Sequence, residues 1–567
     1  MALIMTVDVV VTLKFIKILQ VEDQRSASNQ PYRTGFHFQP PKNWMNDPNG
    51  PMYYKGVYHL FYQYNPYSAI WGNITWAHSI SYDLVDWIHL EHAISPTEPY
   101  EANGCWSGSA TILLDGKPSI LYTGANSKNQ QFQNLAVPKN PSDPLLKEWI
   151  KSPHNPLISP VDDIDPLNFR DPTTAWLGPD RLWRIIVGGE IGGQGLAVLY
   201  RSEDFVNWTR GKTPLHTSNK TGMWECPDFY PVSINGSNGL DTSVLDGLIK
   251  HVLKASFNNN DHYVLGRYTP ETDTFSVETN FLSNGLDMRY DYGKFYASKS
   301  FYDSDKKRRI LWGWILESDS EADDISKGWS GLQSIPRSIL LDESGKQLLL
   351  WPIKEIEKLR TKQVSFDDMD LKSGSVFEVP GIMAAQADIE VSFRLSGLKK
   401  AEEMNTSWVD PQLLCKEKKA SMNGTIGPFG LLVLASKNLE EQTAVYFRVF
   451  RKQYEKYVVL MCSDQSRSSL QEGLEKTTYG AFVDIDPVHE TISLRSLIDH
   501  SIVESFGGNG KACITARVYP KLAINQDAHL YAFNNGTMDV RISKLSGWSM
   551  KRAQIVPIQK RRKPSIT

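Results

Sequence analysis

SATILLDGKPSILYTG, residues 109–124, sets two apolar runs on either side of Asp115-Gly116. That dipeptide is a strong signal for a tight hairpin, because Asp and Gly both tolerate the positive φ that such a turn requires. The same texture, short apolar or alternating runs bounded by Gly, Pro, Asn and Asp, fills residues 30–350, as in GVYHLFYQYNP, DRLWRIIVGG, GLAVLYRSEDF, HYVLGRY and RRILWGWI. These read as antiparallel strands. A faint internal repeat accompanies them: Ser81-Tyr82-Asp83-Leu84-Val85-Asp86-Trp87 recurs as Ser202-Glu203-Asp204-Phe205-Val206-Asn207-Trp208, each time after a strand-like run. Many short strands with a repeated edge motif favour a β-propeller over a single sandwich of that size.

After WPIKEIEKLR, a predicted short helix at 351–360, the strands lengthen and alternate: ADIEVSFRL, TAVYFRVF, KYVVLMCS, HSIVESFGG and HLYAFNN. A second all-β unit, a sandwich, is expected there. The boundaries read as an N-terminal leader or poorly ordered segment at 1–28, a propeller at 29–362, a sandwich at 370–556 and a basic tail at 557–567. A chain of 567 residues fits two domains better than one core.

A net charge of -3, with both signs interspersed, gives no footprint for nucleic acid or a membrane surface. The one basic cluster, Lys560-Arg561-Arg562-Lys563, reads as a solvated tail. Five cysteines show no CxxC spacing and the 12 histidines form no ligand pattern, so neither a metal nor a cofactor is expected. In a secreted chain Cys415 and Cys462 can pair, which leaves Cys105, Cys226 and Cys513 free. Asn-x-Ser/Thr sequons stand at Asn73, Asn207, Asn219, Asn235, Asn405, Asn423 and Asn535, more than the about four that composition gives by chance, and this leans towards secretion. The first twenty residues, MALIMTVDVVVTLKFIKILQ, are apolar but interrupted by Asp8, Lys14 and Lys17; they make an atypical leader and are too short and polar to span a bilayer.

With 16 Trp and 24 Tyr the chain has rings to spare for stacking on a ligand, and sugars are one such ligand. Three acidic stretches are flanked by aromatics and proline: Trp44-Met45-Asn46-Asp47-Pro48-Asn49-Gly50, Asn168-Phe169-Arg170-Asp171-Pro172 and Trp224-Glu225-Cys226-Pro227-Asp228-Phe229. Singly, the first reads as an ordinary turn, the second as a structural ion pair and the third as a loop acid. Together, in a domain whose blades converge on one channel, they supply what glycoside hydrolysis needs: an ionised nucleophile, a protonated acid and polar groups to grip hydroxyls.

WMNDPNG, FRDP and WECPDF resemble the three signature motifs of the family 32 glycoside hydrolases in order and spacing, over residues 30–555. The proline after Cys226 is similar to the plant cell-wall invertase and fructan exohydrolase branch. The resemblance implies an all-β chain, a five-bladed β-propeller followed by a β-sandwich. It implies Asp47 as nucleophile, Glu225 as general acid/base and Asp171 as transition-state stabiliser. It puts Asn46, Gln63, Trp71, Trp106 and Ser107 against the bound fructose, with Trp44 close by; Arg170 can both orient Asp171 and bond a sugar hydroxyl. The turn at Asp47 then aims a nucleophile. The chemistry needs Glu225 protonated and Asp47 ionised at rest, with an acidic optimum as the visible consequence. A secreted monomer in the apoplast or cell wall is expected, with the vacuole as the other destination and a fructan or sucrose as substrate.

Which fructoside is cleaved rests on HVLKASFNNNDHYVLGRY, residues 251–268. In members that act as invertases, an aspartate and a lysine three residues on help hold the glucose of sucrose. Here the loop is two residues shorter, Asn258 stands at the aspartate's place, and no lysine follows before Arg267. Losing a charge-assisted bond weakens sucrose by roughly 1.5 to 3 kcal/mol, about one to two powers of ten in kcat/KM. The alternative is that Asp261 swings into the vacancy. The expectation is a fructan exohydrolase acting on levan- or inulin-type chains. A cell-wall invertase is the runner-up, a non-catalytic carbohydrate-binding protein is less favoured, and no residue declares an acceptor site for fructosyl transfer.

Overall fold

The computed structural model describes residues 30–557 apart from 162, 220, 235 and 279–287. The leader, the Lys560–Lys563 cluster and the Asn235 sequon therefore lie outside the described residues. The 109–124 stretch forms its hairpin, strands Cys105–Ile112 and Pro118–Ala125, with Gly116 at φ 77° in the turn. Five sheets follow one another along the chain. Their innermost strands are Asn43–Tyr54, Cys105–Ile112, Phe169–Arg170, Glu225–Ser233 and Tyr296–Asp303, and the first strand touches both the second and the fifth, which closes the ring. This is a five-bladed propeller.

The sequence repeat is a structural repeat. In the first blade Ser81 Oγ accepts from the Leu84 N–H (2.8 Å) and Asp83 Oδ1 from the Asp86 N–H (2.8 Å). In the third, Ser202 Oγ accepts from Phe205 (2.9 Å) and Asp204 Oδ1 from Asn207 (2.7 Å). Leu84 and Phe205 both take positive φ, 64° and 66°, and the indoles of Trp87 and Trp208 donate back to their carbonyls. Side-chain capping of a tight turn between the third and outermost strands explains the conserved spacing.

The stretch around Asp47 is not a turn. It lies within the strand Asn43–Tyr54, where Met45 faces Tyr64 and Pro48 faces Tyr62, so Asn46 and Asp47 together oppose Gln63 alone. Proline has no N–H for the ladder, and the strand accommodates it by bulging. Turn-forming residues thus serve a bulge in a central strand. The predicted helix at 351–360 is also reshaped: 351–352 close a strand and only Lys354–Leu359 is helical, as a 3-10 turn.

The second unit is two packed sheets. One holds Arg360–Leu371, Gln386–Leu395, Ile492–Asp499, Ile502–Gly507, Ala512–Arg517 and Val540–Met550. The other holds Ser375–Glu378, Phe429–Ala435, Thr443–Arg451, Tyr457–Asp464, Tyr479–Val483 and His529–Asn534. Alternate residues such as Ile389, Val391, Phe393, Val445, Phe447 and Val449 are buried between them, as strand periodicity demands. The sandwich begins at Arg360, ten residues before the boundary read from sequence, because Arg360–Leu371 pairs with Val540–Met550. Cys415 and Cys462 form a disulfide, and Cys105, Cys226 and Cys513 are free and buried. Asn73, Asn207, Asn219, Asn405 and Asn423 are exposed; Asn535 is half-buried and its Nδ2 donates to the Ala420 carbonyl (2.9 Å).

The sandwich is fastened back onto the propeller. Strand Ile555–Pro557 pairs in parallel with Trp87–His89 on the outer edge of the first blade. The segment after Gln30 runs between the units: Asp499 accepts from the N–H groups of Gly35, Phe36 and His37 (2.6–2.9 Å), and the Phe38 carbonyl accepts from Gln333. The His37 ring, between Asp499 and Glu504, is held above its ordinary pKa by those two carboxylates against the cost of burial.

Candidate active site

All five innermost strands deliver side chains to one cavity of about 500 Å3 at the propeller's centre. Four of them bulge there: at Asn46-Asp47, at Ser107, at Cys226-Pro227 and at Ala297-Ser298. The remaining strand breaks at Asp171, whose φ is 67°. Proline follows Asp47, Asp171 and Cys226 in each motif. Bulges at an inner rim re-aim side chains, and here the bulges at Asn46-Asp47 and Cys226-Pro227, with the break at Asp171, bring three carboxylates into the same space.

Asp47 lies at the floor. Its Oδ1 accepts from Asn46 Nδ2 (3.0 Å) and its Oδ2 from the Ser107 hydroxyl. Gln63 backs both, donating to Ser107 and accepting from Asn46 Nδ2 (2.8 Å). Trp44 fixes Asn46 through its indole N–H (2.8 Å) and meets Trp314 edge-on. Asp171 is 3% exposed, and its Oδ2 accepts from the Cys226 N–H (2.8 Å). Glu225 is held at both oxygens, by Arg170 Nη2 on Oε1 (2.7 Å) and by the Tyr296 hydroxyl on Oε2. Arg170 is itself steadied by Gln131 Oε1 (3.1 Å). The Cys226 thiol sits between Asp47 (3.4 Å) and Asp171 (3.6 Å), which raises its pKa well above the usual value, burial being the larger cause.

Electrostatics depart from the sequence expectation at Asp47. Burial, reinforced by the Asp171 carboxylate, pushes its pKa up to about 6, against the opposing hydrogen bonds from Ser107 and Asn46. The nucleophile candidate is thus ionised at neutral pH but holds its charge at a cost. Asp171 is likewise raised, by burial first, although Arg170 opposes it.

Most residues singled out in the sequence come together here. Asn46, Gln63, Trp71, Trp106 and Arg170 line the cavity with the three carboxylates; Ser107 and Trp44 reach it through Asp47 and Asn46. Asn258 does not line it. It sits exposed at the tip of the hairpin joining Ile249–Phe257 to Asn260–Thr269, where Asn258 and Asn259 both take positive φ, 50° and 58°. That is a two-residue turn, and only such a short connection lets Phe257 face Asn260. Tyr296, Trp314, Gln131 and Asn129 also line the cavity and were missed, since none stands in a motif and each arrives by long-range folding; Asn168, which opens the Asn168–Pro172 stretch, lines it too and had been given no role. The indole N–H groups of Trp106 and Trp314 are buried and have no hydrogen-bond partner among the described residues.

A carboxylate cluster outside the cavity, Glu317, Asp319 and Asp324, already faces two cations. Lys327 Nζ lies 2.9 Å from Asp324 and 3.3 Å from Glu317, and Arg517 bonds Glu317 (2.8 Å).

Comparison with known proteins fits this geometry. Residues 37–352 match the N-terminal domain of the glycosyl hydrolases family 32, and residues 355–549 match the C-terminal domain of the same family. The chain is 59% identical to the beta-fructofuranosidase insoluble isoenzyme CWINV1 of Arabidopsis thaliana, over 95% of this chain and 94% of that one. It is 56% identical to the fructan 6-exohydrolase of Beta vulgaris, over 94% and 89%. The crystal structure of fructan 1-exohydrolase IIa from Cichorium intybus superposes with a TM-score of 0.91 at 58% identity, covering 94% of this chain and 99% of that one; the same enzyme, as a variant, has been solved with 1-kestose. The chain therefore belongs to the family 32 glycosyl hydrolases, as a β-fructofuranosidase on the branch that plant insoluble β-fructofuranosidases and fructan exohydrolases share.

Proposed function

We propose that this enzyme is a retaining fructan exohydrolase that releases terminal fructose from levan- or inulin-type chains and cleaves sucrose poorly. Asp47 attacks the anomeric carbon of the terminal fructosyl unit while Glu225 gives its proton to the leaving oxygen. A fructosyl ester forms on Asp47. Water, deprotonated by Glu225, then breaks that ester, and fructose leaves with retained configuration. Asp171 holds fructosyl hydroxyls and, with Arg170, stabilises the charge that develops at the ring. The two donors on Glu225 keep its carboxyl aimed across the cavity through both half-reactions.

The observation that carries the choice of substrate is the fate of Asp261. It is fully buried: Oδ1 accepts from the Ser256 hydroxyl (2.6 Å), Oδ2 from the Ser298 N–H (2.9 Å), and Lys254 lies at 3.3 Å. Swinging it out to hold a glucosyl unit would strand a buried cation and two donors, at a cost of several kcal/mol. The neighbouring Asn258-Asn259 turn offers no charge in its place. A fructosyl chain needs none.

Sucrose hydrolysis is the second reading, favoured by the 59% identity to a relative named as a β-fructofuranosidase insoluble isoenzyme. Initial rates on sucrose, 1-kestose, 6-kestose, inulin and levan separate the two: sucrose as the best substrate by kcat/KM overturns the exohydrolase assignment. Oligomer formation at high sucrose in the same assay would identify transfer. Secretion to the cell wall is supported by the exposed sequons and by a Pisum sativum relative named a cell wall isozyme, 56% identical over 91% of this chain.

A further inference from the structure

Two asparagines on the cavity wall have no part in holding the carboxylates. Asn129 takes φ 60° in the turn between Pro118–Ala125 and Gln131–Pro138, and Asn168 precedes Phe169–Arg170. Asn129 is exposed and Asn168 half-buried, whereas Asp171 at the floor is closed off. The pair therefore lies towards the mouth, where the rest of a fructoside bound at Asp47 extends.

Their amides are oriented by the protein. Asn103 Nδ2 is committed as a donor by the Asn126 carbonyl (3.0 Å), and its contact with Asn129 (3.0 Å) fixes the Asn129 oxygen on that side. Asp165 can only accept, so its 3.0 Å contact fixes the nitrogen of Asn168. What remains towards the cavity is the Nδ2 donor of Asn129 and the Oδ1 acceptor of Asn168, neither with a hydrogen bond among the described residues. Trp71, 55% exposed, lines the same cavity. An uncharged donor and acceptor in a cavity that also holds an exposed indole match a sugar ring, with its hydroxyl edge and its C–H face.

We propose that Asn129 and Asn168 clamp the first sugar unit of the leaving group, one donating to and one accepting from its hydroxyls. The assignment rests on Asp47 and Glu225 acting at the scissile bond. Binding is measured by calorimetry in the Glu225→Gln background, so that it is read apart from turnover. Adding Asn129→Ala or Asn168→Ala should weaken 1-kestose about three- to tenfold, the worth of one neutral hydrogen bond, and leave the affinity for fructose within twofold. Asn129→Asp keeps the size but turns the donor into an acceptor, and should lose as much as alanine. Unchanged 1-kestose affinity in both alanine variants, equal weakening of fructose, or full retention by Asn129→Asp overturns the clamp. Failure of wild-type enzyme to release fructose from any fructoside overturns the proposed function instead, and the binding result stands apart from it.

Discussion

Asp47→Asn should make the protein more stable while destroying its chemistry. The folded carboxyl titrates at about 6 against an ordinary 3.8, a difference of about 2 units, which at 1.36 kcal/mol each is about 3 kcal/mol. The sign follows from proton binding. Between pH 4 and 6 the native state holds a proton that the unfolded chain has released, so stability falls as pH rises through that window. Above it the fold carries the full cost of a buried charge beside Asp171. Asparagine removes that charge and keeps the contacts, since the Ser107 hydroxyl can turn from donor to acceptor and Asn46 still meets an amide oxygen. The variant should be about 2 to 3 kcal/mol more stable at pH 7, with the gap shrinking towards zero near pH 4. Thermal and guanidinium unfolding of both proteins from pH 4 to 7.5 would measure it. A variant less stable at pH 7, or a gap that does not change with pH, would refute the reasoning. Hydrolysis should fall by several orders of magnitude in the same protein, a trade of stability against function.

Other consequences can be checked separately. Arg170→Lys cannot bond Glu225 and Gln131 at once, and kcat on 1-kestose should drop about 100-fold with folding intact by circular dichroism. Asp499→Asn leaves one acceptor where three backbone N–H groups and His37 converge, and should cost about 3 to 5 kcal/mol in denaturant titration at pH 6. Cys462→Ser opens a link spanning 47 residues and should cost about 4 kcal/mol, matched by wild type under reductant. Glycopeptide mass spectrometry of secreted protein should find Asn535 unoccupied, because its nitrogen is spent inside the fold.

The outer features of the fold were legible because their causes are local. Asp115-Gly116 and the Ser-x-Asp turns before Trp87 and Trp208 carry their hydrogen bonds within a few residues. The three carboxylates were legible only as a set, through motif order. What the sequence withheld was geometry set by distant strands: a stretch rich in turn formers becomes a bulge because Val57–Tyr64 pairs beside it. Tyr296 reaches Glu225 across 71 residues, and nothing in FYASKSFYD marks it. The raised pKa of Asp47 comes first from burial and then from Asp171, more than a hundred positions away. The Asn258 hairpin was legible in length but not in aim.

The strand Ile555–Pro557 gives the molecule a mechanical property. A sandwich joined only through Arg360 could swing like a door; one also anchored on the first blade, strapped through Gly35–His37, and bonded to the propeller through Arg337–Glu504, Thr515–Asp291 and Arg517–Glu317 is held at many points. The cavity is walled by propeller residues from Asn46 to Trp314, so the bracing fixes where the sandwich sits and leaves the shape of the cavity to the blades. A proteolytic nick between Pro352 and Arg360 would leave the two halves locked together.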